Sequence, residues 1–165
     1  MIPPADAGGT DYSMKITGTQ EIKAPRERIY AALTDPLILQ RCIPGCESLE
    51  ETIPHNYIAT MKAGIGPVKG IFKGSVHLED MQPPEHYRMI VDGKGGPGFV
   101  KGVGNFKLEE KVGATVVNYE GELQVGGVIA SVGQRMIEAA AKMLAAQFFK
   151  GLEAEIKSPP DPLQR

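Results

Sequence analysis

The sequence contains no tryptophan, two cysteines and three histidines among 165 residues. Each scarcity removes a class of function. His55, His77 and His86 are far apart, and none of them joins a cysteine at a zinc-finger or zinc-enzyme spacing. Cys42 and Cys46 flank Pro44-Gly45, a dipeptide that breaks a helix, and the tight geometry between them disfavours a disulfide. They are read as free thiols of a reducing compartment. No apolar run reaches the roughly 18 residues of a membrane span, and Met1–Ser13 lacks the basic-then-apolar order of an export signal. A cytoplasmic protein is expected. The net charge is −2, so there is no excess of positive charge to attract nucleic acid.

What is present has an ordinary globular balance, 42% hydrophobic and 23% charged, and a length that suits one domain. Residues 1–13 carry prolines and glycines with little to bury and are expected to be a disordered extension. Residues 14–156 form the domain, and 157–165, rich in proline, a flexible tail. Within the domain Lys15–Ile22 reads as a strand. Pro25 suits the start of a helix, with Ile29 and Leu33 on one face. Asp35 caps a second short helix that Pro44-Gly45 ends. Six strands follow, near 47–52, 57–65, 68–81, 87–95, 99–110 and 115–125, joined by short turns such as Gly66-Pro67 and Gly96-Pro97, so neighbours should pair antiparallel. A last helix is expected over 129–156. Met136, Ile137, Ala140, Met143, Leu144 and Phe148 fall on its apolar side, and Phe149 falls near the charged side. The order defines an α+β protein with helices on one face of a curved antiparallel sheet of seven strands.

Read at period two, the apolar strand faces carry an unusual number of glycines. Gly70 and Gly74 alternate with Val68, Phe72 and Val76. Gly102 and Gly104 lie between Val100 and Phe106, Gly121 between Tyr119 and Leu123, and Gly93 beyond Met89 and Val91. Lysines and glutamates take the opposite faces. Inward glycine weakens a strand. It can serve a sharp bend of the sheet around the helix, or the bend together with volume left for a ligand. Period two leaves both open.

Catalytic signatures are missing. Gly93–Gly98 matches the spacing of a dinucleotide loop, but a strand follows it where a helix is required. No phosphate-binding Walker motif or serine nucleophile elbow occurs. The inward faces hold almost no carboxylate or histidine, and Cys42 and Cys46 lack an implied activating base. A strand bulge would swap the faces, so an enzyme of a cyclase or hydrolase kind stays as an alternative. It would need a carboxylate, histidine or arginine facing the cavity.

Several motifs, in order, carry a family resemblance: Ala24-Pro25, Leu33-Thr34-Asp35-Pro36, Ile43-Pro44-Gly45-Cys46, Gly66-Pro67-Val68-Lys69-Gly70 and Gly98-Phe99 with Lys101-Gly102. Gly126-Gly127, Gly133-Gln134-Arg135 and Phe148-Phe149 complete them. From Met14 to Leu152 the chain resembles the CoxG-like family of carbon monoxide dehydrogenase subunits, in the START-like, polyketide-cyclase-like SRPBCC superfamily. The resemblance implies a helix-grip fold. It also implies a non-catalytic accessory of a carbon monoxide dehydrogenase-type molybdenum hydroxylase, which helps recruit that enzyme to the inner face of the membrane and carries a hydrophobic ligand, with a quinone as candidate. Members with that recruiting role carry a further amphipathic tail, whereas residues 157–165 are polar, so anchoring through a tail is not expected here.

No covalent cofactor and no metal are expected. The candidate lining comes from Met61, Ile65, Phe72, Met89, Phe106 and Leu123, with Met136, Ala140 and Met143 from the helix. Leu33, Ile43 and Cys46 would form the mouth, and Tyr119 is the candidate polar anchor. As a further alternative, a docking module without ligand would present Phe149, or the loop around Gly66, Pro67 and Gly70, to a partner.

Overall fold

The computed structural model describes residues 12–157; the expectations for residues 1–11 and 158–165 lie outside the described residues. Seven strands form one antiparallel sheet in the order β1-β7-β6-β5-β4-β3-β2. They are β1 (Tyr12–Ile22), β2 (Cys46–Ile53), β3 (Asn56–Ile65), β4 (Val68–Gln82), β5 (His86–Gly95), β6 (Gly98–Lys111) and β7 (Ala114–Gly126). The six strands after the short helices match their expected bounds within two residues. The first does not: β1 begins at Tyr12, so Tyr12 and Ser13, assigned to the extension, pair with Val125 and Gln124. Their alternation with Met14 and Ile16 continues the strand pattern, and β7 supplies a partner backbone that a reading of composition ignores.

Between β1 and β2 lie α1 (Arg26–Leu33) and α2 (Pro36–Cys42). Asp35 caps α2 as expected, its side chain accepting from the Leu37 N–H at 3.0 Å. The last helix differs from its expected form. Val128–Val132 is a 3-10 turn, Gly133 breaks it at φ +97°, and α3 runs Gln134–Lys157. At 24 residues α3 spans about 36 Å, enough to cross the sheet. Its backbone packs on α2 and α1 and reaches the sheet at β1 and β3.

Strand pairing confirms the inward faces. Phe72 faces Gly95, Gly74 faces Gly93, Tyr87 faces Phe106, Gly104 faces Gly121 and Met14 faces Leu123. All these positions lie on the concave side under α3. The concave apolar residues separate into two clusters. One gathers Tyr30, Leu33, Tyr57, Leu78, Tyr87, Leu108, Val117, Phe149 and Leu152 near the short helices. The other gathers Met14, Phe72, Val125, Ile129 and Ile137 near the opposite strand ends. The glycine pairs Gly74–Gly93 and Gly104–Gly121 run diagonally across the sheet between them, with Val91 and Gly102 in the row that separates the two pairs.

The two roles proposed for inward glycine divide by position. A methyl group on Gly74 would meet Asp92 O and Gly93 Cα of the neighbouring strand, and on Gly121 it would lie 2.8 Å from Val103 O. These glycines permit the tight coiling of the sheet. On Gly93 and Gly104 the nearest atoms would be 4.0 and 3.6 Å away. Both distances are ordinary van der Waals contact, so a methyl group fits at those two positions without displacing a neighbour. We therefore expect Gly74→Ala to destabilise by about 1–3 kcal/mol through overpacking and Gly104→Ala to leave stability unchanged or slightly raised. Urea-unfolding midpoints of the two variants measure the difference, and equal losses would refute the division.

Candidate functional site

The site is the hollow between the glycine band and α3. Its floor is Gly93 and Gly104. At one end stand Val76, Met89, Phe106 and Tyr119, half-buried members of the first cluster. At the other stand Met61, Ala63, Ile65, Val100 and Leu123, half-buried members of the second. Each faces inward, yet each keeps accessible surface, so each borders space that no side chain fills. On α3 the residues between Ile137 and Phe149 on the same face are Ala141 and Ala145, both half-buried. Small residues above and below the same place are what keep the two halves of the core apart.

The end near the short helices is an aromatic wall. Tyr87 stacks on Phe106 with ring centroids 4.8 Å apart, and Phe106 leads to Tyr119 at 6.2 Å. Tyr119 stacks on Phe149 at 5.3 Å, and Phe149 meets Phe148 edge-on at 5.2 Å. Tyr30 closes the chain against Tyr87 and donates its hydroxyl to the His86 carbonyl at 3.0 Å. Burial pushes the Tyr87 hydroxyl far above its ordinary pKa. The Tyr119 ring lies over Gly18, where any side chain would displace it. Its hydroxyl has no hydrogen-bond partner among the described residues, so it remains available as a donor to a ligand.

The concave positions bordering the hollow carry no histidine, lysine or arginine; their polar groups are the Tyr57, Tyr87 and Tyr119 hydroxyls, the Cys46 thiol and the Gln20 amide, and at the sheet edge the Glu51 carboxylate, paired in register with Tyr57, adds to burial in raising the Tyr57 pKa above its ordinary value. Cys46 points its thiol to the Ser48 carbonyl at 3.5 Å. Cys42 is buried against Gly151 of α3. Burial, and then the neighbouring Glu155 carboxylate, push its pKa up to about 11, against a smaller opposing pull from Arg41. Neither cysteine is an activated nucleophile.

Of the residues expected to line the site, Met61, Ile65, Phe72, Met89, Phe106, Tyr119 and Leu123 are on the concave face, and Ala140 is half-buried on α3. Ile43 and Cys46 are half-buried beside α2. Other expectations fail. Met136 and Met143 are 44% and 58% exposed and stand outside the hollow. Phe149, expected on a partner surface, is 4% exposed and part of the aromatic wall. Leu33, expected at the mouth, is 2% exposed in the core. Gly70, expected on a docking loop, lies on the concave face under the Pro97 ring, while Gly66 and Pro67 are exposed. The helix errors share one cause. Leu152 and Ile156 are buried with Phe149 and Ile137, and this longer stripe turns the helix away from a face centred on Met136 and Met143. Gly18, Val100, Ala141 and Ala145 were missed. Gly18 follows from extending the period-two pattern through β1, and the two alanines from the stripe that includes Leu152.

A second, polar cleft of about 730 Å³ lies at the end of the sheet near α1, lined by Arg26, Asp80, Glu85, His86, Lys107 and Glu109 among others. Arg26 reaches Glu85 at 3.7 Å. The cleft lies at the strand ends, apart from the hollow, and its charges are mixed. No group of acids, histidines and cysteines among the described residues could hold a metal ion.

A seven-stranded sheet closed around a long helix over an apolar hollow defines the helix-grip class of ligand-binding folds. Solved structures of that class align along most of the chain. A conserved protein from Geobacillus kaustophilus is 39% identical, with a TM-score of 0.83 over 87% of this chain and 95% of its own. Two more distant structures show the same fold alone. The di-domain aromatase/cyclase BexL of the BE-7585A biosynthetic pathway is 14% identical, TM-score 0.64, over 90% of this chain and 51% of its own. Ara h 8.0201 is 14% identical, TM-score 0.67, over 90% of this chain and all of its own, 100%. No curated protein sequence matches. The model of the CoxG family of carbon monoxide dehydrogenase subunits matches residues 18–157, and the chain belongs to that family.

The raised Cys42 pKa sets a pH dependence. The thiol titrates at about 11 folded against 9.0 for its ordinary value, so its contribution to stability is complete below about pH 9 and is lost as pH rises toward 11. Cys42→Ala should flatten that part of the stability profile, measured by urea unfolding from about one pH unit below the thiol's ordinary value to about two above it. An unchanged slope would refute the assignment.

Proposed function

We propose that this protein is a non-catalytic carrier that holds a hydrophobic small molecule between the glycine band and α3, as an accessory of a carbon monoxide dehydrogenase-type molybdenum hydroxylase. The observation that carries the reading is the divided core: Gly93 and Gly104 have no neighbour to make room for, and the apolar residues around them border unfilled space. Membership of the CoxG family supports the accessory role. The scarcity of ionisable groups in the lining, with Glu51 at the exposed sheet edge beside Tyr57, supports carriage over chemistry, since a cyclase or hydrolase needs an acid, base or nucleophile at the reacting atoms.

The lining also supports a ligand class. The aromatic end, where the half-buried Phe106, Tyr119 and Phe148 keep accessible surface, suits a flat ring, and the Tyr119 hydroxyl can donate to a carbonyl oxygen on it. The opposite end, with Met61, Ile65 and Leu123, suits an aliphatic chain. A quinone with an isoprenoid tail has both parts and is the ligand we assign.

Native mass spectrometry of protein purified without detergent tests the reading. A copurified species with the mass of a quinone is expected, and Gly104→Leu, which fills the floor, should remove it while the protein stays folded. Tyr119→Phe should weaken rebinding about fivefold, the worth of one hydrogen bond. Undiminished ligand in Gly104→Leu would overturn the site.

A further inference from the structure

β1 carries one polar side chain on its inward face. Of Met14, Ile16, Gly18, Gln20 and Ile22 along that face, Gln20 alone has a side chain that hydrogen-bonds. Its neighbours are Ile22 on the same strand and Val117 in register on β7, both buried in the core. A glutamine amide brings two donor hydrogens and an acceptor oxygen, and such groups are normally paired when they leave water. Gln20 is half-buried, yet its amide has no hydrogen-bond partner among the described residues. Nor is it sealed from contact, because the buried side-chain polar atom without a partner is Arg26 Nε.

Tyr119 brings its hydroxyl to the same place. Its ring reaches from β7 to β1, with Phe149 stacked on it at 5.3 Å and Gly18 against its hydroxyl end. Gln20 stands two residues further along β1 on the same face, about 7 Å from Gly18. A glutamine side chain covers much of that gap, so one ligand oxygen can lie within hydrogen-bond distance of both groups. No charged side chain takes an inward position on β1 or β7, and the Glu51 carboxylate is on β2, at the opposite edge of the sheet.

We infer that Gln20 and Tyr119 together are the polar anchor of the hollow, and that the pair takes a ring oxygen equally well as a carbonyl or as a hydroxyl. The inference rests on the carrier reading and makes it more specific. An amide and a phenol each donate and accept. Facing a carbonyl oxygen, the Gln20 N–H and the Tyr119 O–H both donate. Facing a hydroxyl, one of the two accepts while the other still donates. A carboxylate can only accept and an ammonium only donate, so either in place of Gln20 would favour one form of the ring. With the uncharged pair, the oxidised and reduced forms of a quinone bind with similar affinity. By linkage, the reduction potential of the bound couple then stays that of the free couple, and the protein holds its cargo without biasing the direction of electron flow.

Calorimetric titration of the full chain under nitrogen tests the pair, with menadione and separately prepared menadiol as probes. The protein is first freed of ligand by solvent extraction and refolding. The wild type should bind the two forms with dissociation constants within about threefold of each other, less than the worth of one hydrogen bond. Gln20→Glu, ionised at mildly alkaline pH, should prefer menadiol by about tenfold, and Gln20→Lys should prefer menadione by a similar factor, as a hydrogen bond to a charged group requires. Gln20→Met, apolar and of similar length, should weaken both forms alike by about fivefold. Circular dichroism establishes that each variant is folded. A purely structural role for Gln20 would leave the ratio of the two affinities unmoved in every variant. Such unmoved ratios, or a wild-type preference for one form beyond about tenfold, would overturn the proposal and leave the carrier reading standing. Binding of neither form by the wild type would overturn both.

Discussion

Gly74 pairs with Gly93 and Gly104 with Gly121, a diagonal band of glycine interrupted by Val91, and α3 passes above it with Ala141 and Ala145. A protein interior ordinarily packs to the density of an organic crystal, and a sheet with a helix across it would reach that density if these positions held valine or leucine. Here the apolar residues collect on either side of the band into two separate clusters. Part of the band is needed for curvature, because Gly74 and Gly121 lie too close to the neighbouring strand for a methyl group. Gly93 and Gly104 are under no such constraint, and curvature alone does not account for them.

The two ends of the hollow are built differently because they are attached to different parts of the fold. The end near α1 and α2 is braced by helices on two sides, and rigid rings fill it: Tyr87, Phe106, Tyr119 and Phe149 form a continuous chain of contacts. Each such pair contributes about 0.5–1.5 kcal/mol beyond the area it buries, which fixes the wall as a surface of defined shape. The other end is formed by strand ends, the β3–β4 turn and the break at Gly133, with Met61, Ile65 and Leu123 as deformable lining. A flat rigid group is matched by the first and a flexible chain by the second.

Much of this was legible in the sequence for a simple reason. Strand faces follow a period of two that no tertiary contact alters unless a bulge intervenes, and the bulges fall in β2 and at the end of β4, away from the glycines. The inward placement of Gly70, Gly74, Gly102 and Gly121 could therefore be read directly. The helix was harder. Its apolar residues occupy more than one side, and hydrophobicity gives Met136, Met143 and Leu144 the same weight as Ile137 and Leu152. Which stripe is buried depends on where α1, α2 and the sheet edges stand, and that is a property of the assembled fold. Phe149 was misplaced for that reason. Leu33 was misplaced because proximity to a loop in sequence does not tell whether the loop folds over it. Period two through β1 also reaches Tyr12, but the pairing with β7 that orders it has no local signature.

Unfilled apolar space has a consequence for stability. In a well-packed core, removed side-chain volume costs on the order of 24 cal/mol per Å³ of cavity left behind, so a hollow large enough for a ligand ring would consume much of the roughly 5–15 kcal/mol by which a domain of this size is stable. The aromatic wall and the wide antiparallel pairing of seven strands offset part of that deficit. A bound ligand would offset more, because any molecule that binds only the folded state adds to stability in proportion to the logarithm of its saturation. The same glycines that lower the stability of the empty chain thus tie its folded population to its cargo, and replacing them with larger residues would exchange that dependence for a core that is stable and closed.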